Sequence, residues 1–261
     1  MPVDRAARVD LEAVARALRA DTALVSIMHA NNEVSTLQEV AAIADMAHAH
    51  GALMHTDAAQ SVGKIPVDAD TLGVDLLTIA GHKFYATKGV GALYVRRGTP
   101  IFPVIAGAEH ERGLRPGTEN VPAIVGLAEA ARLALQHPSV HQKHLCRIRD
   151  LLHRLLAEGV PGLTLNGDAE YRLPNTLNVS FPRVSGRALL HAVEADVAAS
   201  MGSACHDDSD AVSGVLAAMG LTIDRALGAV RLSVGMPTTE DEVRHAASAL
   251  ASAWRGLSKR L

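Results

Sequence analysis

The sequence predicts an α/β protein: a layered domain with a mainly parallel sheet, followed by a smaller α/β domain. Short apolar runs at Ala23–Met28, Ala52–His55 and Leu76–Ile79 are typical of buried strands. Between the first two lies Val40–His50, whose Ala, Ile and Met positions suit an amphipathic helix. Strands that alternate with helices favour a parallel sheet covered by helices.

A fourth strand candidate, Gly91–Val95, follows the third after a short link. The stretch from Ile79 to Gly91 leaves no room for a helical crossover. We therefore expect this strand to run antiparallel to its neighbour.

The rest of the chain predicts a second, smaller set of helices and strands. The Ala-rich stretch from Asn120 to Gln136 predicts a helix that ends at His137-Pro138. Later elements are expected at Gln142–Glu158 (helix), Thr176–Phe181 (strand), Gly186–Ala195 (helix), Ala229–Val234 (strand) and from Thr239 onward (helix). We place the domain boundary at about His137, which gives a first domain of residues 1–137 and a second of residues 138–261.

Composition narrows the classes of function. The 261 residues carry a formal net charge of −3, which gives no electrostatic reason to bind nucleic acid or an anionic membrane. No apolar run approaches the roughly 20 residues that span a bilayer, and no apolar stretch typical of a signal peptide follows the N-terminal charges. Two cysteines, Cys146 and Cys205, are too few for a disulfide framework. We expect a cytoplasmic protein that binds neither nucleic acid nor membrane.

Lys83 is the first candidate for chemistry. It stands just past a strand candidate, at the rim where α/β sheets bind ligands. The pKa of a lysine falls readily on burial, and its amine can form a Schiff base. Taken alone, however, this segment is explained more simply as a solvated lysine at the end of a strand.

Asp57 and Gln60 lie three residues apart where another strand candidate meets a helix. Both side chains could face one ligand, and a buried aspartate can keep a pyridinium nitrogen protonated. Aspartate at such a position is also a common helix N-cap. Both interpretations stay open from this segment alone.

Several segments taken together, in order and spacing, carry a family resemblance that none carries by itself. They are Met28–Glu33, His55–Lys64, Gly81–Tyr85, Glu111–Asn120, Leu173–Ser180, Gly202–Cys205 and Val230–Ser233. The chain resembles the cysteine desulfurase and selenocysteine lyase group of the class V aminotransferases. The resemblance implies a fold of the type I transferases that depend on pyridoxal 5'-phosphate (PLP), with an incomplete large domain and a smaller C-terminal domain.

The resemblance implies a cofactor role for each of five residues. Lys83 would bind PLP covalently and then move protons between the substrate and the cofactor. Asp57 would pair with the pyridine nitrogen, Gln60 would donate to the phenolic oxygen, and His82 would also contact the cofactor. Thr118 would reach the cofactor phosphate of a second subunit, so a homodimer is expected. The local alternative for Thr118 is a simple turn.

For the substrate, the resemblance implies that Asn32 and Arg231 hold the carboxylate. The planar guanidinium of an arginine can donate two parallel hydrogen bonds to a carboxylate. Cys205 would take the sulfur of L-cysteine as a persulfide and leave L-alanine, with an acceptor protein as a further partner. That step needs a thiolate in an exposed loop, and small or polar residues surround Cys205. Cys146 lies in a helical stretch and is expected to be structural.

The sequence also departs from the family. The chain lacks the N-terminal part of the family's large domain, which would carry a phosphate-binding turn and a histidine that stacks on the pyridine ring. Ala80 stands where many members have a serine, and one such lost contact costs roughly 1.5–3 kcal/mol. We therefore expect this chain alone to bind PLP weakly or not at all, to show negligible turnover, and to leave apolar surface uncovered.

Three functions remain open at this stage. The leading one is a PLP-dependent cysteine desulfurase. A selenocysteine lyase is the first alternative, because Ala204–Asp208 looks closer to that group. A catalytically impaired fragment or partner subunit is the second. A metal site built on His82, His110, Cys205 and His206 is disfavoured, because these residues lack paired ligand spacing.

Overall fold

The structure is a computed structural model that describes residues 1–201 and 212–259. The helices in these ranges are α1 (Leu11–Ala17), α2 (Val40–Ala49), α3 (Val121–Gln136), α4 (Pro138–Gly159), α5 (Gly186–Ala192), α6 (Gly214–Ala218), α7 (Ile223–Leu227) and α8 (Glu240–Ser258). The strands are β1 (Leu24–Met28), β2 (Leu53–Asp57), β3 (Leu76–Ala80), β4 (Gly91–Val95), β5 (Thr164–Leu165), β6 (Thr176–Ser180) and β7 (Ala229–Ser233). The chain divides into two compact units, one holding β1 to β4 and the other holding β5 to β7.

The first unit is built on a four-stranded sheet in the order β1-β2-β3-β4. Strands β1, β2 and β3 are parallel, and β4 is antiparallel to β3. The expected antiparallel strand is confirmed. Only a short 3-10 turn, Gly81–Lys83, and a loop join β3 to β4, which is too little chain for a crossover.

One face of this sheet is covered and the other is open within the unit. Helix α2 packs against β1 and β2 and buries Val40, Ile43, Ala44 and Ala47. Along β2, Met54 and Thr56 are fully buried, whereas Leu53 and His55 are half-buried and Asp57 is exposed. Since side chains alternate between the two faces of a strand, His55 and Asp57 lie on the open face.

Apolar side chains are also exposed elsewhere in the first unit. Those with the largest exposed fractions include Phe102 (86%), Val104 (98%) and Leu135 (75%). On β4, Leu93 and Tyr94 are exposed as well. This agrees with the expectation that this chain leaves apolar surface uncovered.

The second unit is built on an antiparallel sheet in the order β5-β6-β7. Its core packs one face of this sheet against α4, α5 and α8, with Ile148, Leu156, Leu177, Leu189 and Leu250 fully buried. Helix α8 starts with a capping box between Thr239 and Glu242, as its sequence predicts. No helix in the described ranges is long and apolar enough to cross a membrane.

The division into units differs from the sequence expectation at the N-terminus. The break falls between Pro138 and Ser139, but Met1–Val14 and Ala30–Gln38 belong to the unit that holds the C-terminal residues. Hydrogen bonds tie these segments there: Arg8 Nε donates to Asp168 over 2.8 Å, and the main-chain N–H of Leu37 donates to the carbonyl of Tyr171 over 2.9 Å. Contacts so distant in sequence leave no trace in local periodicity.

Asp150 holds two buried arginines of the second unit, so its substitution tests the stability of that unit. The side chains of Arg149 and Arg172 are only 8% and 6% exposed, and Asp150 Oδ1 lies 2.8 Å from Arg149 and 3.7 Å from Arg172. Burial and the neighbouring Arg149 lower the pKa of Arg172. We expect Asp150→Asn to lower the free energy of unfolding by about 1–3 kcal/mol, below the value for a fully buried pair because the carboxylate is half exposed.

Urea unfolding measures this effect. Glu158→Gln, an exposed acid on the same helix, is the matched control and should stay within about 0.5 kcal/mol of the parent. Equal stabilities for Asp150→Asn and Glu158→Gln would contradict the role of Asp150.

Candidate active site

Lys83 ends the 3-10 turn Gly81–Lys83 that directly follows β3. Its side chain is exposed, while Gly81, which begins the turn, and Phe84, which follows it, are buried. The main-chain N–H of Gly81 donates to the carbonyl of Val90 over 3.0 Å. The two buried residues and the hydrogen bond to Val90 therefore hold the backbone around Lys83 in place.

The backbone around Lys83 is tightly constrained. A Cβ on Gly81 would lie 2.9 Å from the Leu127 side chain and 3.0 Å from the carbonyl of Val90, so a larger residue here would crowd both. Tyr85 adopts a φ of 73°, a region that bulky residues rarely enter. Such strain is held in place by surrounding packing and is common at functional sites.

Asp57 ends the neighbouring strand β2, and its exposed side chain lies on the open face of the sheet. It is in register with Met28 at the end of β1 and with Thr78 on β3. Its Oδ1 accepts a hydrogen bond of 2.8 Å from the main-chain N–H of Ala59. The carboxyl ends of β2 and β3 thus bring the Asp57 carboxylate and the Lys83 turn to one edge of the sheet.

A row of polar side chains crosses this open face beside Asp57. Ser26 Oγ lies 2.7 Å from His55 Nδ1, and His55 Nε2 lies 2.8 Å from Thr78 Oγ1. Burial lowers the pKa of His55, and the Asp57 carboxylate partly opposes that change. A hydrogen-bonded row of this kind on an uncovered face suits a polar ligand better than an apolar partner.

Two further polar atoms near these strand ends are buried and have no hydrogen-bond partner among the described residues. They are His29 Nδ1 and Ser61 Oγ. The main-chain N–H of His29 donates to the carbonyl of Asp57 over 2.8 Å, and burial lowers the pKa of its imidazole. Buried polar atoms without partners are costly and are commonly satisfied by a ligand or water.

The other three predicted cofactor residues belong to the same unit. Gln60 is half-buried just after β2, and His82 is exposed within the 3-10 turn. Thr118 is exposed in the loop before α3, where Asn120 caps the helix by accepting from the N–H of Ala123. The contacts expected of these side chains toward a cofactor remain predictions.

Lys64 is a lysine with a desolvated ammonium that local sequence patterns did not single out. Its Nζ donates to the main-chain carbonyl of Gln60 over 2.7 Å. Burial, together with the positive charge of Lys83, lowers the pKa of Lys64 to about 8. In the sequence, the four-residue spacing between Gln60 and Lys64 indicated only that the two could contact each other. The burial of the ammonium is seen only in the fold.

The predicted substrate residues Asn32 and Arg231 are brought together in the second unit. Arg231 Nη1 donates to the main-chain carbonyl of Asn32 over 2.9 Å, and Nη2 donates to Ser200 Oγ over 2.9 Å. Burial lowers the pKa of Arg231, and the carboxylate of Glu33 opposes this. The Asn32 carbonyl and the Ser200 hydroxyl thus hold a half-buried guanidinium, a group whose geometry suits a carboxylate.

Of the two cysteines, Cys205 lies in residues 202–211, outside the described residues. Cys146 lies on α4 as a half-buried free thiol beside the buried Leu145. No group of three or more His, Cys, Asp or Glu side chains in the described ranges is arranged to hold a metal ion.

Comparison with known proteins identifies the family. Residues 1–245 match the family described as aminotransferase class-V. The chain belongs to the class V aminotransferases. Enzymes of this family depend on PLP, which agrees with a lysine and an aspartate at the carboxyl ends of adjacent strands.

Relatives of this class V chain include cysteine desulfurases. It is 44% identical over 246 residues to the cysteine desulfurase IscS of Dictyoglomus turgidum, covering 94% of this chain and 62% of that protein. It is 46% identical over 242 residues to a cysteine desulfurase of Gluconacetobacter diazotrophicus, covering 92% and 60%. The chain therefore spans about three-fifths of the length of these relatives.

Solved structures of the same family share the fold. A NifS-like protein aligns with a TM-score of 0.88 at 39% identity, over 99% of this chain and 67% of that one. A NifS-like protein from Rickettsia africae aligns with a TM-score of 0.89 at 29% identity, over 98% and 69%. The expected type I fold is confirmed, and this chain spans about two-thirds of the length of each of these structures.

The lowered pKa of Lys64 in this class V chain predicts a pH-dependent stability. Because the folded-state pKa of about 8 lies below the unfolded value of about 10.4, burial of the charged amine costs stability below pH 8, and this cost shrinks as the pH rises toward 10. We expect Lys64→Met to raise the free energy of unfolding by about 1–2 kcal/mol at pH 7. The advantage should fade between pH 8 and pH 10.

Chemical unfolding at pH 7, 8, 9 and 10 measures this dependence. Lys88→Met, at an exposed lysine of the neighbouring loop, is the matched control and should change stability equally at all four values. A stability gain in Lys64→Met that does not depend on pH would contradict a buried ammonium at this position.

Proposed function

We propose that this chain functions as a PLP-dependent cysteine desulfurase that converts L-cysteine to L-alanine. The sulfur passes to Cys205, so that the Cβ–S bond of the substrate breaks and a persulfide forms on the enzyme. The proposal depends most on the position of Lys83, in the turn that follows β3, next to strand β2, which ends at Asp57. The names of the 44–46% identical relatives support the same substrate.

The residues present suit the cofactor's ring. The Lys83 amine would bind it covalently, and the Asp57 carboxylate would hold the ring nitrogen in its protonated state. Gln60 and His82 would contact the ring from the segments that follow β2 and β3. When bound, PLP supplies an electron sink that stabilises negative charge at the substrate Cα.

The substrate would be held by the pair in the second unit. Arg231 would bind the carboxylate, and the Asn32 carbonyl and Ser200 hydroxyl would hold the guanidinium in place. The Cys205 thiolate would then take the sulfur atom, and the substrate carbon skeleton would leave as alanine. An acceptor protein would remove the sulfur from Cys205.

A homodimer is part of this proposal. Thr118 would reach the cofactor phosphate of a second copy of the chain. Its loop is exposed, and exposed apolar side chains lie on either side of it, at Val104, Ile105, Val121 and Val125. An apolar surface of that kind favours an interface between protein chains.

The test of this function is alanine formation from L-cysteine. We would assay the 261-residue chain with PLP, alone and mixed with the part of the Dictyoglomus turgidum relative that it does not span; we call the mixture the complemented preparation. We expect alanine and an enzyme persulfide from the complemented preparation and much less from the chain alone. The intact relative is the positive control.

The same assay separates the alternatives. A selenocysteine lyase, which the Ala204–Asp208 segment favours, would form alanine from selenocysteine but no detectable alanine from cysteine. A catalytically impaired partner subunit would bind the complementing piece but form no alanine from either substrate. Either outcome would overturn the desulfurase proposal.

A further inference from the structure

Glu33 is a buried carboxylate that has no assigned role in the proposed reaction. Its side chain is 5% exposed, and a buried carboxylate without partners would be very costly. Its Oε2 accepts a hydrogen bond of 2.6 Å from the hydroxyl of Ser213. Its main-chain carbonyl accepts a bond of 3.1 Å from the side chain of Asn178 on β6. Glu33 is thus fixed to the sheet by its backbone and holds Ser213 with its side chain.

Glu33 also adjoins the arginine of the proposed carboxylate site. The preceding carbonyl, that of Asn32, accepts from Arg231 over 2.9 Å. Asn178, which holds Glu33, is in register with Arg231 on the neighbouring strand β7. The negative charge of Glu33 favours the charged form of Arg231 against the effect of burial. The turn formed by Asn32 and Glu33 therefore accepts hydrogen bonds from both Arg231 and Ser213.

The two bonded serines stand on either side of the segment that carries Cys205. Before residues 202–211, the main-chain N–H of Arg231 donates to the carbonyl of Ser200 over 2.9 Å, and Arg231 Nη2 donates to its hydroxyl. After that segment, Ser213 donates to Glu33. Both flanks of the cysteine segment are therefore anchored to the Asn32–Glu33 turn and to Arg231.

We propose that Glu33 is a positioning residue for sulfur transfer. Its bond to Ser213 anchors the residues that follow the Cys205 segment to the Asn32–Glu33 turn, which also holds Arg231, the proposed carboxylate-binding residue. We call the hydrogen bond from Ser213 to Glu33 the Glu33–Ser213 tether. This inference rests on the proposed function for its catalytic meaning. The tether itself is tested without any turnover.

The variants separate the tether from the other structural role of Ser213. Ser213 also caps α6, accepting from the N–H groups of Val215 and Leu216. Glycine caps a helix nearly as well as serine, so Ser213→Gly removes the tether and little of the cap. Glu33→Ala removes the tether and leaves the cap, whereas Glu33→Gln keeps a side-chain oxygen that can accept from Ser213. Ser185→Gly is the matched control, because Ser185 precedes α5 without a side-chain cap bond.

The structural readout is hydrogen exchange of the amides in residues 212–218. We expect exchange to be about ten-fold faster in Ser213→Gly and in Glu33→Ala, and close to that of the parent in Glu33→Gln and Ser185→Gly. The double variant should exchange no faster than the faster single variant, because both substitutions remove one bond. Alkylation of Cys205 by iodoacetamide should also speed up, with Cys146 as the internal reference.

The functional readout is the alanine assay on the complemented preparation. We expect Ser213→Gly to lower kcat for L-cysteine about ten- to a hundred-fold while KM stays within two-fold, because the hydrogen bonds of Arg231 do not involve Ser213. Glu33→Gln should retain kcat. A purely structural role would instead lower the active fraction of every destabilised variant, Glu33→Gln included.

Each outcome decides the proposal. Unchanged exchange in folded Ser213→Gly and Glu33→Ala would show that no tether exists. Faster exchange with unchanged kcat and unchanged Cys205 alkylation would show that the tether does not position the cysteine. If the parent formed no alanine, the proposed function would fail, while the exchange and alkylation results would still support or overturn the tether.

Discussion

Replacing Cys205 by alanine is expected to abolish sulfur transfer, with alanine formation from L-cysteine falling by at least about a thousand-fold. The thiolate is the group that receives the sulfur atom, and no hydroxyl or methyl group can take its place. Binding of PLP should not change, because the residues proposed to hold the cofactor lie at the end of β2, in the segments that follow β2 and β3, and in the loop before α3. The measurements are alanine release and the absorbance of the bound cofactor in the complemented preparation.

Cys146→Ala is the matched control for this prediction. The thiol of Cys146 is half-buried on α4, beside the core residue Leu145. We expect this variant to keep at least half of the parent activity. Mass spectrometry of the parent after brief exposure to L-cysteine should find the persulfide on Cys205, and a persulfide on Cys146 would contradict the assignment.

Replacing Lys83 by alanine is expected to remove both the covalent bond to PLP and activity, again by at least about a thousand-fold. Borohydride reduction of the complemented preparation, followed by peptide mapping, should label Lys83 in the parent. In Lys83→Ala no labelled peptide is expected. The visible absorbance band of the protein-bound cofactor should be lost as well.

Two neighbouring lysines provide the controls for Lys83. Lys88→Ala changes an exposed residue of the next loop and should leave labelling and activity unchanged. Lys64 is the stronger competitor, because its pKa of about 8 leaves more of its amine neutral at pH 7 than an ordinary lysine. A borohydride label on Lys64 in the parent would overturn the assignment of Lys83.

Local patterns in the sequence predicted most of the secondary structure. Short apolar runs predicted β1, β2, β3 and β4, and the short link after Ile79 predicted the antiparallel direction of β4. The helix expected at Gly186–Ala195 ends earlier, at Ala192, and α4 begins at Pro138 rather than at Gln142. Proline suits the first turn of a helix, so His137-Pro138 ends α3 and also begins α4. Helix ends depend on single capping interactions, which periodicity does not reveal.

The candidate site was predicted from a combination of segments rather than from any one of them. The local patterns around Lys83 and Asp57 each left a simple structural explanation open. The ordered set of matching segments predicted the family, and the match over residues 1–245 confirms it. The individual roles of these residues toward cofactor and substrate remain predictions.

The sequence by itself determined the fold class, the directions of β1 to β4, the family and the candidate cofactor lysine. These depend on hydrophobic periodicity, on link length and on short motifs, all of which are local in the chain. Only the tertiary structure decided that Ala30–Gln38 joins the second unit, that the ammonium of the half-buried Lys64 is desolvated, and that Glu33 binds Ser213 across 180 residues. The physical reason is that burial and hydrogen-bond partners are set by which distant segments pack together, and no local pattern records that choice.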